Sequence, residues 1–438
     1  MKVAHITAGA GGMYCGSCLH DNTLVAALRR LGHDALLIPT YTPIRTDETD
    51  QTASPVFFGG INVFLQQKSF LFRHTPWFLD RWLNSPRLLR WVSKLALGTS
   101  AEKLGPLTLS MLKGLDGFQA KEVNKLARWL KEEIKPDIIH LTNALLSGVA
   151  KTLNEKVGVP VVCSLQGDDI FLEALTQRHG REARQLISAN SRFIDGFLST
   201  STDYANFMAE YLPVPRVKID VVIPGLDLKY HPPVPRTPSG PPVIGYFARI
   251  CPEKGLHHLV NAWLQLRKTP AGAQVKLHIG GWLGESSKAY FHALKVRVQA
   301  EEAHNDFFHF DCPDMAAKVD FFQRIDVLSV PSDYREPKGL YVLEAWAHGV
   351  PVVQPAHGSF PELLSHAGEA GLLFSPGDDN ALFEILFSLV NNRERLIAMG
   401  QNGRRAAESF FHADRMARET ADFYQKWIPR FHGKGQTS

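Results

Sequence analysis

Val327-Leu-Ser-Val-Pro-Ser-Asp-Tyr-Arg-Glu-Pro-Lys-Gly-Leu-Tyr-Val-Leu-Glu-Ala-Trp-Ala-His-Gly-Val-Pro-Val-Val353 decides the fold. The apolar run Val327–Val330 reads as a short strand stopped by Pro331, which fixes its φ and offers no N–H to a ladder. A polar loop carries Glu336, a helix starts near Gly339, and Val352–Gln354 reads as the next strand. Strand, loop, helix and strand in succession make a parallel crossover unit, which buries its sheet under helices.

The same alternation runs outward in both directions. Toward the C-terminus comes Gly371–Phe374; toward the N-terminus come Phe307–Phe310, Lys276–Ile279 and Val243–Phe247. Then His231-Pro-Pro-Val-Pro-Arg-Thr-Pro-Ser-Gly-Pro-Pro-Val243 interrupts it, with six prolines that exclude a helix or a central strand. Before this linker the rhythm resumes in Val3–Thr7, Ala35–Pro39, Ile138–Leu141, Val161–Leu165, Gly196–Ser199 and Ile219–Ile223. The chain therefore reads as α/β with two doubly wound, Rossmann-like domains: 1–230, a linker at 231–243, and 244–412. A final helix near Ala413–Trp427, within 413–438, is expected to pack back on the first domain. Ligands of such sheets bind at the carboxyl ends of the strands.

An insertion at about 46–135 breaks the pattern and is rich in aromatic and basic residues, as in Phe70-Leu-Phe-Arg-His-Thr-Pro-Trp-Phe-Leu-Asp-Arg-Trp-Leu83. One reading makes it amphipathic helices over a satellite core. The other makes 68–94, with Arg73, Arg81, Arg87 and Arg90, a surface for a bulky acceptor or anionic lipid headgroups.

Composition narrows the class. The 438 residues are 45% hydrophobic and 21% charged with a net charge of +4, enough for more than one core and too little clustered charge for a nucleic-acid binder. Five scattered cysteines make no disulfide framework, and no run of apolar residues is long enough to span a bilayer. The N-terminal apolar run is also too short for a signal peptide. The expectation is a cytoplasmic protein, with peripheral attachment to a cytosolic membrane face as the extension of the lipid reading.

The first strand leads into Gly9-Ala-Gly-Gly-Met-Tyr-Cys-Gly16, a glycine-rich turn suited to phosphate, with Gly11 and Gly12 at its centre. A dinucleotide fingerprint fails there, because the third glycine position is Tyr14 and Ile38-Pro-Thr-Tyr-Thr42 supplies no acidic residue for a ribose. Cys15-Gly-Ser-Cys18 has no second such pair, so a redox or zinc role is set aside. In the second half, Arg249 and Lys254 stand five apart in the loop after Val243–Phe247, where two cations suit a diphosphate. Glu336 in its loop and Glu344 in the second turn of the following helix suit vicinal hydroxyls, while the amides of Gly339 and Leu340 suit phosphate oxygens.

Taken in order, these motifs resemble glycosyltransferase family 4, of the retaining GT-B type. Glu336 and Glu344 match its E-x7-E pair, Arg249 and Lys254 its R-x4-K, Pro224-Gly-Leu-Asp227 its N-G-x-D turn, and Gly358-Ser-Phe-Pro-Glu362 its G-G-x-P-E segment. Gly11-Gly12, Pro136-Asp-Ile-Ile-His140 and Gln166-Gly-Asp-Asp169 fall in the family's order. The resemblance implies two facing domains and transfer of a sugar from a nucleotide-sugar donor to a glycan, lipid or small-molecule acceptor. It also implies neither a metal nor a cofactor beyond the donor, and no nucleic-acid partner. Arg249 and Lys254 would hold the diphosphate, Glu344 the ribose and Glu336 the transferred sugar. That makes Glu336, Arg249 and Lys254 the catalytic set.

Three features depart from the pattern. Gln166 stands where a histidine is usual, and Lys338 where an aromatic is commoner. The Met13–Cys18 stretch lengthens the first loop. Gln166, Asp169 and Lys338 are candidate contacts for sugar or acceptor, although Lys338 also reads as a solvated lysine. These departures leave one alternative, a catalytically silent nucleotide-sugar binder or scaffold on the same fold.

Overall fold

The computed structural model describes residues 1–9, 16–52, 101–233 and 240–434. Two compact units result: Met1–Ile223 together with the chain from Asp414 onward, and Pro224–Ala413. The boundary falls at Ile223–Pro224, before the proline-rich stretch.

The first unit holds strands β1 (Lys2–Thr7), β2 (Asp34–Pro39), β3 (Ile138–Leu141), β4 (Val161–Leu165), β5 (Gly196–Ser199) and β6 (Ile219–Val221). They pair in the order β2-β1-β3-β4-β5-β6, all parallel. Every residue of β3 and β4 is buried, which is what a central strand covered by helices on both faces requires.

The described part of the 46–135 insertion forms helices Ala101–Leu112 and Ala120–Trp129 between β2 and β3. Val123, Leu126, Ala127 and Leu130 recur at helical spacing and join one core with Ala4, Ile6 and Ile139 of the sheet. In this described part the helices pack on the sheet's own core and not on a separate one, and they supply a crossover between β2 and β3. The segment 68–94, with its lipid-contact reading, lies outside the described residues.

The last helix, Ala413–Lys434, belongs to the first unit. The Tyr424 hydroxyl lies 2.6 Å from His140 Nδ1 in β3, and Arg415 donates to the Ile223 carbonyl at 2.8 Å. Gly196 is glycine for a steric reason, since a Cβ there would fall 2.4 Å from Trp427 Nε1.

The second unit holds β7 (Val243–Phe247), β8 (Lys276–Gly280), β9 (Phe307–Phe310), β10 (Val327–Leu328), β11 (Val352–Pro355) and β12 (Gly371–Phe374). Their order is β12-β11-β10-β7-β8-β9, again all parallel. The chain reverses direction of growth between β7 and β10, and that switch point opens a crevice beyond the strand ends. β10 is only two residues long, shorter than Val327–Val330: Ser329 N–H still donates to the Gly245 carbonyl at 2.9 Å, but Val330 N–H donates to the Gln354 side chain at 3.2 Å instead of to a strand backbone. Among the described residues no helix is long and apolar enough to cross a membrane.

Candidate functional site

The loops that leave β7 and β10 meet at this switch point. After β7, Ala248–Gly255 turns through the short helical segment Pro252–Lys254. Gly255 sits at φ +68, and a Cβ on it would lie 1.8 Å from the Pro331 carbonyl oxygen at the end of β10. Only glycine allows the two loops to approach so closely.

That approach brings Lys254 onto Glu336. The two form a hydrogen-bonded ion pair, 7% and 5% exposed respectively. The ammonium also lies over the rings of Tyr334 and Tyr341, 4.8 and 5.1 Å from their centroids. Both tyrosine hydroxyls donate to the Glu336 carboxylate, at 3.3 and 3.1 Å, and the Gly339 amide approaches it at 3.4 Å. Burial alone would raise the Glu336 carboxyl, but the Lys254 charge, its hydrogen bond and the Lys338 charge outweigh it and hold the pKa down at about 2. Burial and that carboxylate push both tyrosines well above their usual range, so they remain donors.

The backbone under Glu336 is held from behind. Ser359 N–H donates to its carbonyl at 2.8 Å, and His357 Nε2 lies 2.9 Å from the Ser332 carbonyl. Gly358, at φ +60, has no room for a Cβ, which would fall 2.6 Å from the Glu336 nitrogen. The sequence segment Gly358–Glu362 thus serves as the rear wall of the Glu336 loop.

Glu344 lies in the second turn of helix Leu340–Ala347, which opens on Gly339 in the left-handed conformation at φ +61. It is buried and accepts from Lys318 Nζ at 2.7 Å. Arg249 is exposed at the loop tip, where its carbonyl accepts from the Tyr246 hydroxyl at 2.9 Å. Lys338 is buried, which corrects the solvated reading; its charge bears on Glu336 instead. The second unit therefore gathers Lys254, Glu336, Lys338 and Gly339 at one loop junction, with Leu340 and Glu344 on the helix that leaves it.

In the first unit, Gly11 and Gly12 lie outside the described residues. Gln166, at the end of β4, is buried and donates from Nε2 to Asp21 Oδ1 at 3.0 Å and to the Thr142 carbonyl at 2.8 Å. Asp169 accepts from the Tyr204 hydroxyl at 2.5 Å, and burial raises its carboxyl. Its neighbour Asp168, pushed up to about 6 by burial, accepts from the Ala144 and Gln166 amides at 2.6 and 2.9 Å.

Four participants escape a reading of the sequence. Lys318 looks like a surface charge on helix Met315–Gln323, and only its place beside Phe321 and Phe322 hints at burial. Tyr334 and Tyr341 read as ordinary aromatics of a loop and an apolar helix. Asp21, fully buried, lies 3.3 Å from both His5 Nε2 and His20 Nδ1. Burial would raise its carboxyl, yet those histidines bring it well below the usual range.

Two family models match the chain: "Glycosyl transferases group 1" over residues 230–406 and "Glycosyl transferase 4-like domain" over residues 22–225. The glycogen synthase of Mycobacterium tuberculosis is 25% identical over 417 residues, covering 92% of this chain and 89% of that one. A lipopolysaccharide core biosynthesis mannosyltransferase of Rhizobium meliloti is 28% identical over 270 residues, covering 58% of this chain and 71% of its own. Among solved structures, sucrose-phosphate synthase from Thermosynechococcus elongatus matches with a TM-score of 0.72 at 18% identity, covering 98% of this chain and 100% of that one. HepE of Anabaena in complex with UDP-glucose matches with a TM-score of 0.66 at 18% identity, covering 97% and 100%.

Proposed function

Because the chain belongs to the group 1 glycosyltransferases, of GT-B fold, we propose that it transfers a sugar from a nucleotide-sugar donor with retention of configuration, and that Pro224–Ala413 holds the donor. The observation that carries this reading is the buried Lys254–Glu336 pair at the β7–β10 switch point. Each partner is the other's placeholder. When a diphosphate arrives it takes the Lys254 ammonium, and the Glu336 carboxylate turns its lone pairs to the hydroxyls of the sugar.

Glu336 stays ionised throughout the physiological range, so it accepts hydrogen bonds and does not deliver a proton. Its part is to position the sugar. As the anomeric C–O bond to the diphosphate breaks, negative charge collects on the leaving oxygen. Arg249, Lys254 and the amides at Gly339 and Leu340 stabilise it with groups already in place. The acceptor oxygen forms the new bond at the same carbon, on the face the diphosphate leaves, and gives up its proton to the departing diphosphate oxygen, leaving glycoside and nucleoside diphosphate. Glu344 holds the ribose, with Lys318 keeping its carboxylate ionised and oriented.

HepE is known with UDP-glucose, so that donor is the first to try; several mannosyltransferase relatives, one described as GDP-mannose-dependent, make GDP-mannose the second. The test is a thermal-shift panel of UDP, GDP and their sugars on the wild type, Lys254→Ala and Glu344→Ala, followed by the anomeric configuration of the product by NMR. A ligand at about 100 times its Kd adds roughly 2.7 kcal/mol. One nucleotide should shift the wild type and neither variant. No shift with any nucleotide, or an inverted product, would refute the assignment.

A further inference from the structure

Beside the Lys254–Glu336 junction, the same two loops bring together side chains of a different chemistry. His257 and His258 open helix Leu256–Arg267, and Asp333 stands in the loop after β10. The two imidazole rings are 4.1 Å apart between centroids. His258 Nε2 lies 2.8 Å from Asp333 Oδ1, and His257 Nε2 lies 3.9 Å from Asp333 Oδ2. One ligand atom from each residue falls within 4.8 Å of the others. Around a tetrahedral ion with bonds of about 2.0–2.2 Å, ligand atoms stand roughly 3.3–3.6 Å apart. Small side-chain rotations close the difference.

The opposite nitrogens are already held. His258 Nδ1 is 2.6 Å from Asp379 Oδ1, and the other oxygen of Asp379 accepts from Asn261 at 2.6 Å. His257 Nδ1 is 3.1 Å from the Tyr290 hydroxyl, which also accepts from the His257 backbone N–H at 3.0 Å. Each ring is thus fixed through Nδ1 and turns Nε2 toward one carboxylate. That is how histidine ligands are oriented, with a carboxylate or hydroxyl behind the ring. The site is open to solution, for the side chains of His257 and Asp333 are 33% and 47% exposed.

We propose that His257, His258 and Asp333 bind a divalent first-row transition-metal ion of the zinc class, with water in the remaining position. Two imidazoles and one carboxylate favour such an ion over magnesium or calcium, which take oxygen ligands. On binding, the close contact between His258 Nε2 and Asp333 opens to admit the ion, which each Nε2 meets through its lone pair. The ion takes no part in sugar transfer. Its work is mechanical: Asp333 N–H already donates to the Glu253 carbonyl at 3.0 Å, and the ion adds a cross-link between the loop ending at Lys254 and the loop carrying Glu336.

The experiment uses the untagged full chain. Zn2+ and Co2+ are titrated by calorimetry, Co2+ also by visible absorption, on the wild type, His257→Ala, the double variant H257A/H258A and Asp379→Asn. Circular dichroism confirms that each variant is folded. The expected result is one ion per chain, affinity at least about tenfold weaker in His257→Ala, and about 10–100-fold weaker in Asp379→Asn, where only the orienting group changes. Zn2+ should also slow amide hydrogen exchange over 331–339 in the wild type and leave it unchanged in the double variant. Absence of stoichiometric uptake, or equal affinity in the double variant, would overturn the proposal and leave His258 as a hydrogen-bonded bridge between Asp333 and Asp379. Uptake without slowed exchange would overturn the stapling role.

Discussion

At the scale of single residues, the Lys254–Glu336 pair is a buried ion pair whose effect on one carboxyl can be put in numbers. Its depression of the Glu336 pKa from 4.5 to about 2 corresponds to roughly 3 kcal/mol favouring the folded state at neutral pH. Because the folded value lies below the unfolded one, this stability is complete above about pH 5 and is lost as the pH falls toward 2. Urea unfolding of the wild type and Glu336→Gln between pH 7 and pH 3 should show it. The variant should be about 3 kcal/mol less stable at pH 7, since a buried ammonium loses its partner, and the gap should narrow as the pH falls to 3. A constant gap would mean the pair is not what Glu336 contributes. Gly358→Ala attacks the same carboxylate from behind, with a Cβ placed against the Glu336 nitrogen at a positive φ. A stability loss of about 2 kcal/mol or more and a donor affinity reduced more than tenfold are expected, read by unfolding and by calorimetry.

At the scale of elements, the strands were plain in the chain and their neighbours were not. Runs such as Val161–Leu165 and Val352–Pro355 open on paired valines and carry no charge, and both are buried along their whole length, as central parallel strands are. The order β12-β11-β10-β7-β8-β9 depends on which distant runs pair, and no local pattern encodes that. The same holds for the site. Glu336 and Lys254 were legible because loops at strand ends carry ligand groups. Lys318 was not, because a lysine on a helix is ordinarily solvated and only its burial against the Phe247 ring shows otherwise. The helix Ala413–Lys434 yields the prediction at this scale. Tyr424 is fully buried and meets His140 at 2.6 Å, so Tyr424→Phe leaves a buried imidazole nitrogen without its partner. The cost should be about 1–3 kcal/mol in the first unit's unfolding, measured in urea, with nucleotide affinity unchanged. A loss of nucleotide binding would show that the helix reaches beyond its own unit.

At the scale of the whole molecule, each unit has its own sheet, and the donor residues proposed here all lie in the second. Two cores of this size need not unfold as one. Scanning calorimetry should resolve two transitions. Donor nucleotide at about 100 times its Kd should raise only one, by roughly 2.7 kcal/mol. Lys254→Ala should abolish that rise and leave the other transition where it was. One transition that moves as a whole would show the units melting together.

The return of the last helix also sets an order of manufacture. The first unit begins at Met1 but keeps its final helix until after Pro224–Ala413, a stretch of 190 residues, has been made. At translation rates of about 5–20 residues per second this is a delay of roughly 10–40 seconds. During that interval Gly196 waits without Trp427 above it, and His140 without Tyr424. The unit synthesised first is therefore the one completed last. A chain cut short by its last two dozen residues keeps an intact second unit attached to an unfinished first one, and it is that earlier half which a chaperone or a protease would meet open.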